Sequence, residues 1–438
     1  MTVRKRVAIT GLGLVTPVGN DVATTWDAVL HGKSGGAPIS VFDASGFPVH
    51  IAAEVKNFDA LEQIGDRRLL KLANRSHSFA LAASEQALRD AGIRPTEATA
   101  TRWGCALGAG MMGVDFADLA GTQAHSAADG ELHSDLLLTD DRANDPLAFA
   151  RSNCAAGLSL ISRRHGIRGY VSAVHTACAS GGQALGTALK LIRRGAADYV
   201  LAGGYDSMIS PVGMAGFCLL SALSPDNDTP QRASRPFDVS RNGFLLGEGA
   251  GFLVLEEWHA AKARGAHIYA ELAGDGNSLS SYRITDSPPD GDGPIQAMRQ
   301  ALWSAGAEPS DIDYLNAHGT STGMNDRSES AAVKAVFGAD VARLSVSSTK
   351  STMGHLIAAA GAVEVAVCAL AIRDGNLPIN ANLRDVDPDC ELNFVRDVPR
   401  RQRVRMSMSN SFGFGGSNSC IVLRNPKETD AVLAREQA

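Results

Sequence analysis

The sequence predicts an α/β fold built by duplication, with buried, largely parallel sheets covered by helices. Three observations predict it. Strand-like apolar runs alternate with helical patterns; the spaced pattern QALxxAGxxP occurs twice; and each half carries a strand, a small-residue loop and a helix in the same order. Near-continuous apolar strands alternating with helices imply sheets buried on both faces.

The elements follow in order. The opening MTVRKRVAITGLGLV reads as a buried first strand, because its apolar run is too short to span a membrane. Gln86-Ala87-Leu88, Ala91-Gly92 and Pro95 give the first copy of the spaced pattern; Gln300-Ala301-Leu302, Ala305-Gly306 and Pro309 give the second. Each reads as an amphipathic helix closed by a glycine cap, with proline beyond it. WGCALGAG and YLNAHGTST then supply a strand and a small-residue loop in their respective halves. VSAVHTACASGG leads into a helix ending near Gly195, and LSVSSTKSTMGH into an alanine-rich helix ending near Gly375. NGFLLGEGAGFLVLEE and NSFGFGGSNSCIVL add a glycine-rich turn and an apolar strand to each half. These echoes place the boundary after VLEE, giving halves 1–258 and 259–425 and a loose tail, 426–438. The acidic segment 121–146 reads as an exposed loop insertion.

Composition narrows the class. The chain has 438 residues, 45% hydrophobic and 20% charged, as a soluble globular protein has. A net charge of −6 argues against general nucleic-acid binding. No uninterrupted apolar stretch of about 18 residues suggests a membrane span. Seven cysteines without a C-x-x-C pair or a secretory signal point to free thiols in the cytoplasm.

Chemistry concentrates at the loops. Cys178 lies between the strand VSAV and a helix beginning near Ser180, where unpaired N–H groups and the helix dipole are expected to lower its thiol pKa. Small neighbours leave room for a substrate. His318, in NAHGTSTGMND, and His355, placed in the first turn of the second half's helix, occupy loops that correspond to those of the first half. A duplicated fold gathers such loops on one side of its sheets. Lys350 and Glu329 read either as surface charges or as parts of a buried network that orients the histidines. No Cys/His cluster has metal-ligand spacing, so no metal is expected. Gly11-x-Gly13 lacks the third glycine and the later acidic residue of a dinucleotide loop. Gly319-Thr320-Ser321-Thr322-Gly323 fits G-x-S-x-G, which keeps a serine hydrolase acting through Ser321 as an alternative from another class. Against it, GMND looks like a turn where a helix should start at once.

Together these motifs resemble a known family. HTACASGG, NAHGTSTGMNDRSE, SSTKSTMGHLIAAAGA and NSFGFGGSN, with SRPFDVSRNGFLLGEGAGFLVLEE, are similar to the signatures of the β-ketoacyl-acyl-carrier-protein synthases, and the likeness runs from about residue 4 to residue 424. It is nearest to the elongating type II branch and its polyketide and modified-lipid relatives. The resemblance implies a thiolase-like α-β-α-β-α layering with two mixed five-stranded sheets, and a homodimer or close heterodimer. It implies Cys178, His318 and His355 as the catalytic triplet, Lys350 as the active-site lysine with Glu329 as its ion-pair partner, and Asp326 in support. Phe414, with Phe412 beside it, would gate the site, the Phe414 N–H joining that of Cys178 in an oxyanion hole. Thr320 and Thr322 would hold the carrier's pantetheine arm, and Met111 and Phe217 would line the acyl pocket. Arg67, Arg68 and Lys71 match a stretch that docks the acidic acyl carrier protein; with Arg75 they recur at helical spacing. No cofactor is implied beyond the carrier's phosphopantetheine. The expected reaction is the decarboxylative condensation of a cysteine-bound acyl chain with malonyl thioester, in fatty acid synthesis or in a specialised type II polyketide system. Gly323, Asn325, Arg283 and Met111 depart from common family residues and bear on substrate rather than reaction.

Overall fold

A computed structural model describes residues 5–110, 115–128, 131–133, 135–139, 145–153 and 155–436. Met111 lies outside the described residues. The first half supplies β1 (Val7–Val15), β2 (Trp103–Gly108), β3 (Val171–Val174), β4 (Tyr199–Asp206) and β5 (Gly249–Glu257). The second supplies β6 (Ala270–Leu279), β7 (Tyr314–Asn316), β8 (Ser345–Ser347), β9 (Met406–Phe412) and β10 (Ser417–Arg424). Their order across the sheet is β8-β7-β9-β10-β6-β1-β5-β4-β2-β3. Read outward from the centre, both halves run first, fifth, fourth, second, third strand, so the duplication is written in the topology.

Two features differ from expectation. The two five-stranded blocks are joined into one sheet of ten by the pairs Ala8↔Glu271 and Ile9↔Ala270. The sheet is mixed, as the resemblance implies and unlike the largely parallel sheets that strand–helix alternation suggested: β2 is parallel to β3 and β4, and β7 to β8 and β9, while the remaining pairs are antiparallel. Chain length explains part of this. Only residues 413–416 connect β9 to β10, too few for the crossover that a parallel pair needs.

Helices fill the layers. α1 (Arg75–Ala91) covers β1 and β5, and α2 (Ser180–Arg193) lies between the two blocks. α3 (Asp292–Ala305) covers β6 and β10, with α4 (Gly323–Phe337) beside it. α5 (Ala360–Asp374) is buried along almost its whole length beside α2. α1 and α3 end at left-handed Gly92 (φ 64°) and Gly306 (φ 61°), as the spaced pattern predicts. The Gly11-x-Gly13 pair serves packing: a Cβ at either position would collide with the α1 carbonyls of Ala87 and Ala83. Gly274 and Gly276 meet the α3 carbonyls of Ala301 and Ala297 in the same way. The dinucleotide-like motif is therefore a helix-packing device, present twice.

The expected loose tail is instead α6 (Pro426–Glu436). Buried Thr429 donates to Glu271 Oε2 at 2.8 Å, and Leu433 packs on Trp258 and Ala8. Scattered anchors of this kind, with the ion pairs Lys262–Asp430 and Arg403–Glu428, leave no apolar period to read in the sequence. The 121–146 insertion is helical in much of its described part, within Phe116–Ser126 and at Leu136–Thr139. Among the described residues no helix is long and apolar enough to cross a membrane.

Candidate active site

Cys178 sits on the 3-10 turn Ala177–Ala179 that runs straight into α2. Ala177 adopts φ 48°, a left-handed conformation that L-residues disfavour. Ser180 holds it: its Oγ accepts from Thr176 N at 2.8 Å and donates to the Ala177 carbonyl at 2.7 Å. Ile357, at the matching point ahead of α5, shares the φ of 48°, so Ala358 stands where the first half has Cys178. The two turns pack glycine to backbone: a Cβ on Gly181 would stand 2.9 Å from Ala362 N, and one on Gly361 2.7 Å from Gly182 N. This close approach brings the loop before α5 onto the cysteine.

His355 is not in the helix, as the sequence suggested, but precedes it in extended backbone. Its N–H donates to the Leu245 carbonyl at 2.7 Å and its carbonyl accepts from Gly247 N at 2.9 Å. Its Nε2 lies 3.0 Å from Cys178 Sγ, and its Nδ1 accepts from Ile357 N at 3.1 Å. The Ile357 donor leaves Nδ1 unprotonated, so the neutral ring carries its proton on Nε2. His318 follows β7, with its ring centroid 5.3 Å from that of His355 and 5.7 Å from that of Phe412. Burial, and then the Lys350 charge, hold both imidazoles well below the usual histidine range.

The thiol behaves otherwise than expected. Burial pushes Cys178 up to about 12, against the pull of the Lys350 charge and of hydrogen bonds from the backbone N–H groups of Phe414 and Cys178 itself. Loss of water solvation outweighs what one helix end supplies. The resting group is therefore a neutral thiol, with two backbone amides directed at it.

A second shift from expectation concerns the lysine. Lys350, 1% exposed, pairs with Glu364 Oε1 at 2.5 Å and not with Glu329. Glu329 instead accepts from the backbone of His318 at 2.9 Å and Gly319 at 2.8 Å, and from Asn410 Nδ2 at 3.0 Å. Asp326 accepts from Thr320 N at 3.0 Å and Phe237 N at 2.8 Å. Both carboxylates thus fix the backbone of the turn after β7. Glu364 was missed, although a signal existed: it is a lone carboxylate within the apolar run 360–372, and a buried carboxylate needs a cationic partner.

A cavity of about 340 Å³ opens onto this cluster. Cys178, His318 and His355 line it, together with Thr320, Thr322 and Asn325 and the segment Phe412–Phe414. The hydroxyls of Thr320 and Thr322 are 2.9 Å apart. Phe217 is buried in the apolar cluster that includes Cys178, with ring centroids 5.4 Å from Phe244 and 6.5 Å from Phe414. Arg67, Arg68 and Lys71 are exposed on and just after the short helix Arg67–Leu70, whereas Arg75 is tied to buried Glu248.

Two other chemistries fit poorly. Ser321 is fully buried, its Oγ accepts from Arg235 N at 3.1 Å, and α4 starts at Gly323, so GMND is helix and not turn. A hydrolase nucleophile needs exposure that this serine lacks. The sulfur and imidazole nitrogens of Cys178, His318 and His355 come within 4.8 Å of one another, close enough to suggest a metal. A neutral imidazole ligating through Nε2 must carry its proton on Nδ1, where the Ile357 N–H already points. The donor set does not fit a metal.

The comparisons agree with this geometry. Residues 4–261 match the profile described as "Beta-ketoacyl synthase, N-terminal domain", and residues 269–384 match "Beta-ketoacyl synthase, C-terminal domain". The chain is 41% identical to "3-oxoacyl-[acyl-carrier-protein] synthase 2" of Coxiella burnetii, over 96% of its own length and 98% of that protein's. It is 38% identical to the protein of the same name from Staphylococcus aureus, over 97% and 99% of the two chains. Among solved structures, "The ishigamide ketosynthase/chain length factor" superposes with a TM-score of 0.86 at 35% identity, covering 96% of this chain and 99% of that one. The type II polyketide complex "AntDE:AntF" gives 0.84 at 34% identity, with the same coverage. With both domains matched in order and the likeness running through nearly the full length, the chain belongs to the β-ketoacyl synthase family.

Proposed function

We propose that the chain transfers an acyl group from a carrier thioester to Cys178 and condenses it with the enolate of a malonyl thioester on acyl carrier protein. The observation that carries this is the convergence of one thiol and two neutral imidazoles within 4.8 Å in the lining of a single cavity. In the first half-reaction the Cys178 sulfur attacks the acyl carbonyl and the thiol proton leaves with the departing pantetheine thiol. The N–H groups of Cys178 and Phe414, already directed at the sulfur, suit the tetrahedral oxyanion. In the second, malonyl loses CO2 and its thioester oxygen gains charge. The Nε2–H of His355 and the ring of His318 serve as donors to that enolate, whose carbon attacks the acyl group and expels Cys178.

Burial, with the charge of Lys350 paired to Glu364 adding to it, keeps both imidazoles neutral. Glu329 and Asp326 position the turn that bears His318, Thr320 and Thr322; the two threonines hold the pantetheine arm. Phe412 and Phe414 gate the cavity, and Phe217 lines the acyl pocket. On this reading the half 1–258 supplies the nucleophile and the half 259–425 both donors. The enzyme works in the cytoplasm as a homodimer or close heterodimer, takes substrates from phosphopantetheine, and docks the carrier on Arg67, Arg68 and Lys71. No step above calls for a further cofactor.

Intact mass of the protein after exposure to acyl-carrier substrate tests the proposal. Wild type should gain one acyl mass and Cys178→Ala none, with condensation falling to background. Normal product formation by Cys178→Ala would sink it. The likeness to a ketosynthase of a type II polyketide system favours a second reading, elongation of a specialised polyketide chain. The mass of the acyl group trapped from a mixed pool separates the two: saturated chains for one, poly-β-keto chains for the other.

A further inference from the structure

We infer that Arg241 is the positioning residue of the turn that grips the pantetheine arm. Its side chain is 2% exposed and lies behind the turn, away from the cavity lining. Nε donates to the Thr322 carbonyl at 3.2 Å, and Nη2 to the Gly323 carbonyl at 3.2 Å. Nη1 donates to Asp387 Oδ2 at 2.7 Å and to the Asp238 carbonyl at 2.9 Å. Asp326 Oδ2 lies 3.4 Å from Nε, and Asp326 Oδ1 accepts from Thr320 N at 3.0 Å. The turn is therefore held from behind at both ends, at Thr320 through Asp326 and at Thr322 and Gly323 by Arg241 itself.

The turn needs this hold. Gly319 has φ 36° and Ser321 φ 71°, so a non-glycine residue sits in the left-handed region between the two threonines. Such backbone persists only where its surroundings over-determine it. The planar guanidinium supplies donors in several fixed directions at once, which an ammonium cannot. No part of Arg241 faces the reacting atoms, so its effect passes through Thr320 and Thr322.

The inference rests on the reading that Thr320 and Thr322 hold the arm. The test uses the full-length enzyme and two acyl donors: acyl-pantetheine, and phenyl thioacetate, which has no arm. In Arg241→Lys the KM for acyl-pantetheine should rise roughly tenfold while kcat changes little, and acylation of Cys178 by phenyl thioacetate should stay within about twofold of wild type. Equal loss with both donors would mean a general structural role and overturn the inference, as would no change with either. If Arg241→Lys does not fold, Asp387→Asn removes one anchor while keeping the guanidinium. It should give the same split between donors in weaker form, and no split there also overturns the inference. Thr322→Val distinguishes the underlying reading. If it leaves the acyl-pantetheine KM unchanged, the arm-binding assignment fails; if it raises that KM while Arg241→Lys does not, only the role of Arg241 fails.

Discussion

The Nε2 of His355 stands 3.0 Å from the Sγ of Cys178, while Ile357 N donates to the other ring nitrogen at 3.1 Å. The backbone thus selects the tautomer, and the proton on Nε2 faces Cys178 Sγ, beside which the proposed mechanism places the substrate's developing charge. A group held in this way is a donor to an oxyanion rather than a base. His355→Ala should therefore lower decarboxylation of malonyl carrier about 10²- to 10³-fold, the usual cost of removing one such donor. Acyl transfer to Cys178 should fall much less. Labelled CO2 release, set beside the single-turnover gain of acyl mass, measures the two. Equal loss in both half-reactions would contradict the donor role.

Cys178, the thiol proposed to accept the acyl group, is neutral at rest, because burial pushes it up to about 12. Below that value the thiolate fraction climbs tenfold with each pH unit, and the thiolate is the reactive form. Alkylation of Cys178 by iodoacetamide should accordingly keep rising between pH 7 and pH 10, without levelling off. Peptide mass mapping separates it from Cys218, which is partly exposed. A plateau near pH 8 would mean that the helix end and Lys350 outweigh burial after all.

Lys350 and Glu364 are both almost fully buried, and burial raises Glu364 to about 7 even beside the ammonium. Removing one member of such a pair strands the other. Lys350→Met should cost about 3–5 kcal/mol in urea unfolding. Lys350→Met combined with Glu364→Gln should recover a substantial part of that loss. The same lysine charge holds His318 and His355 low. Without it both imidazoles protonate at higher pH, so the acid limb of decarboxylation should move upward in pH in the folded double variant. An unmoved limb would remove Lys350 from control of the histidines.

What the sequence disclosed follows from how local each signal is. The convergence of Cys178, His318 and His355 was legible because each lies in a small-residue loop beside a strand, and the duplication sets those loops together. The glycine caps at Gly92 and Gly306 were legible because left-handed backbone demands that residue. The ion pair was assigned wrongly, since Lys350 and Glu364 meet through the burial of a whole helix and not through proximity to His318. The direction of the Cys178 shift was misread for a related reason: a helix end is visible in sequence, whereas the depth of burial around it is not. Strand–helix alternation alone misled on strand direction, and α6 was missed, because one follows from connection lengths and the other from a few side-chain anchors.

Carrier docking ties the site to its substrate. Arg67 and Arg68 are exposed on a short helix capped by Asp66, and Lys71 follows at its end. Arg75, the fourth cation of that spacing, is committed to Glu248, with Nη2 2.5 Å from Oε1, and is not free to meet a partner. The chain as a whole is acidic, at −6, so an acidic carrier must be drawn by a local patch and not by overall charge. Steering of this kind acts on encounter and fades with salt. Arg67→Glu with Arg68→Glu should raise the KM for carrier-bound substrate, by roughly tenfold at low salt if each contact is worth a few tenths to one kcal/mol. It should also flatten the dependence of KM on ionic strength, while the KM for acyl-pantetheine stays as in wild type. That last comparison separates docking from damage to the cavity. Unchanged kinetics with the carrier would move the docking surface elsewhere on the protein.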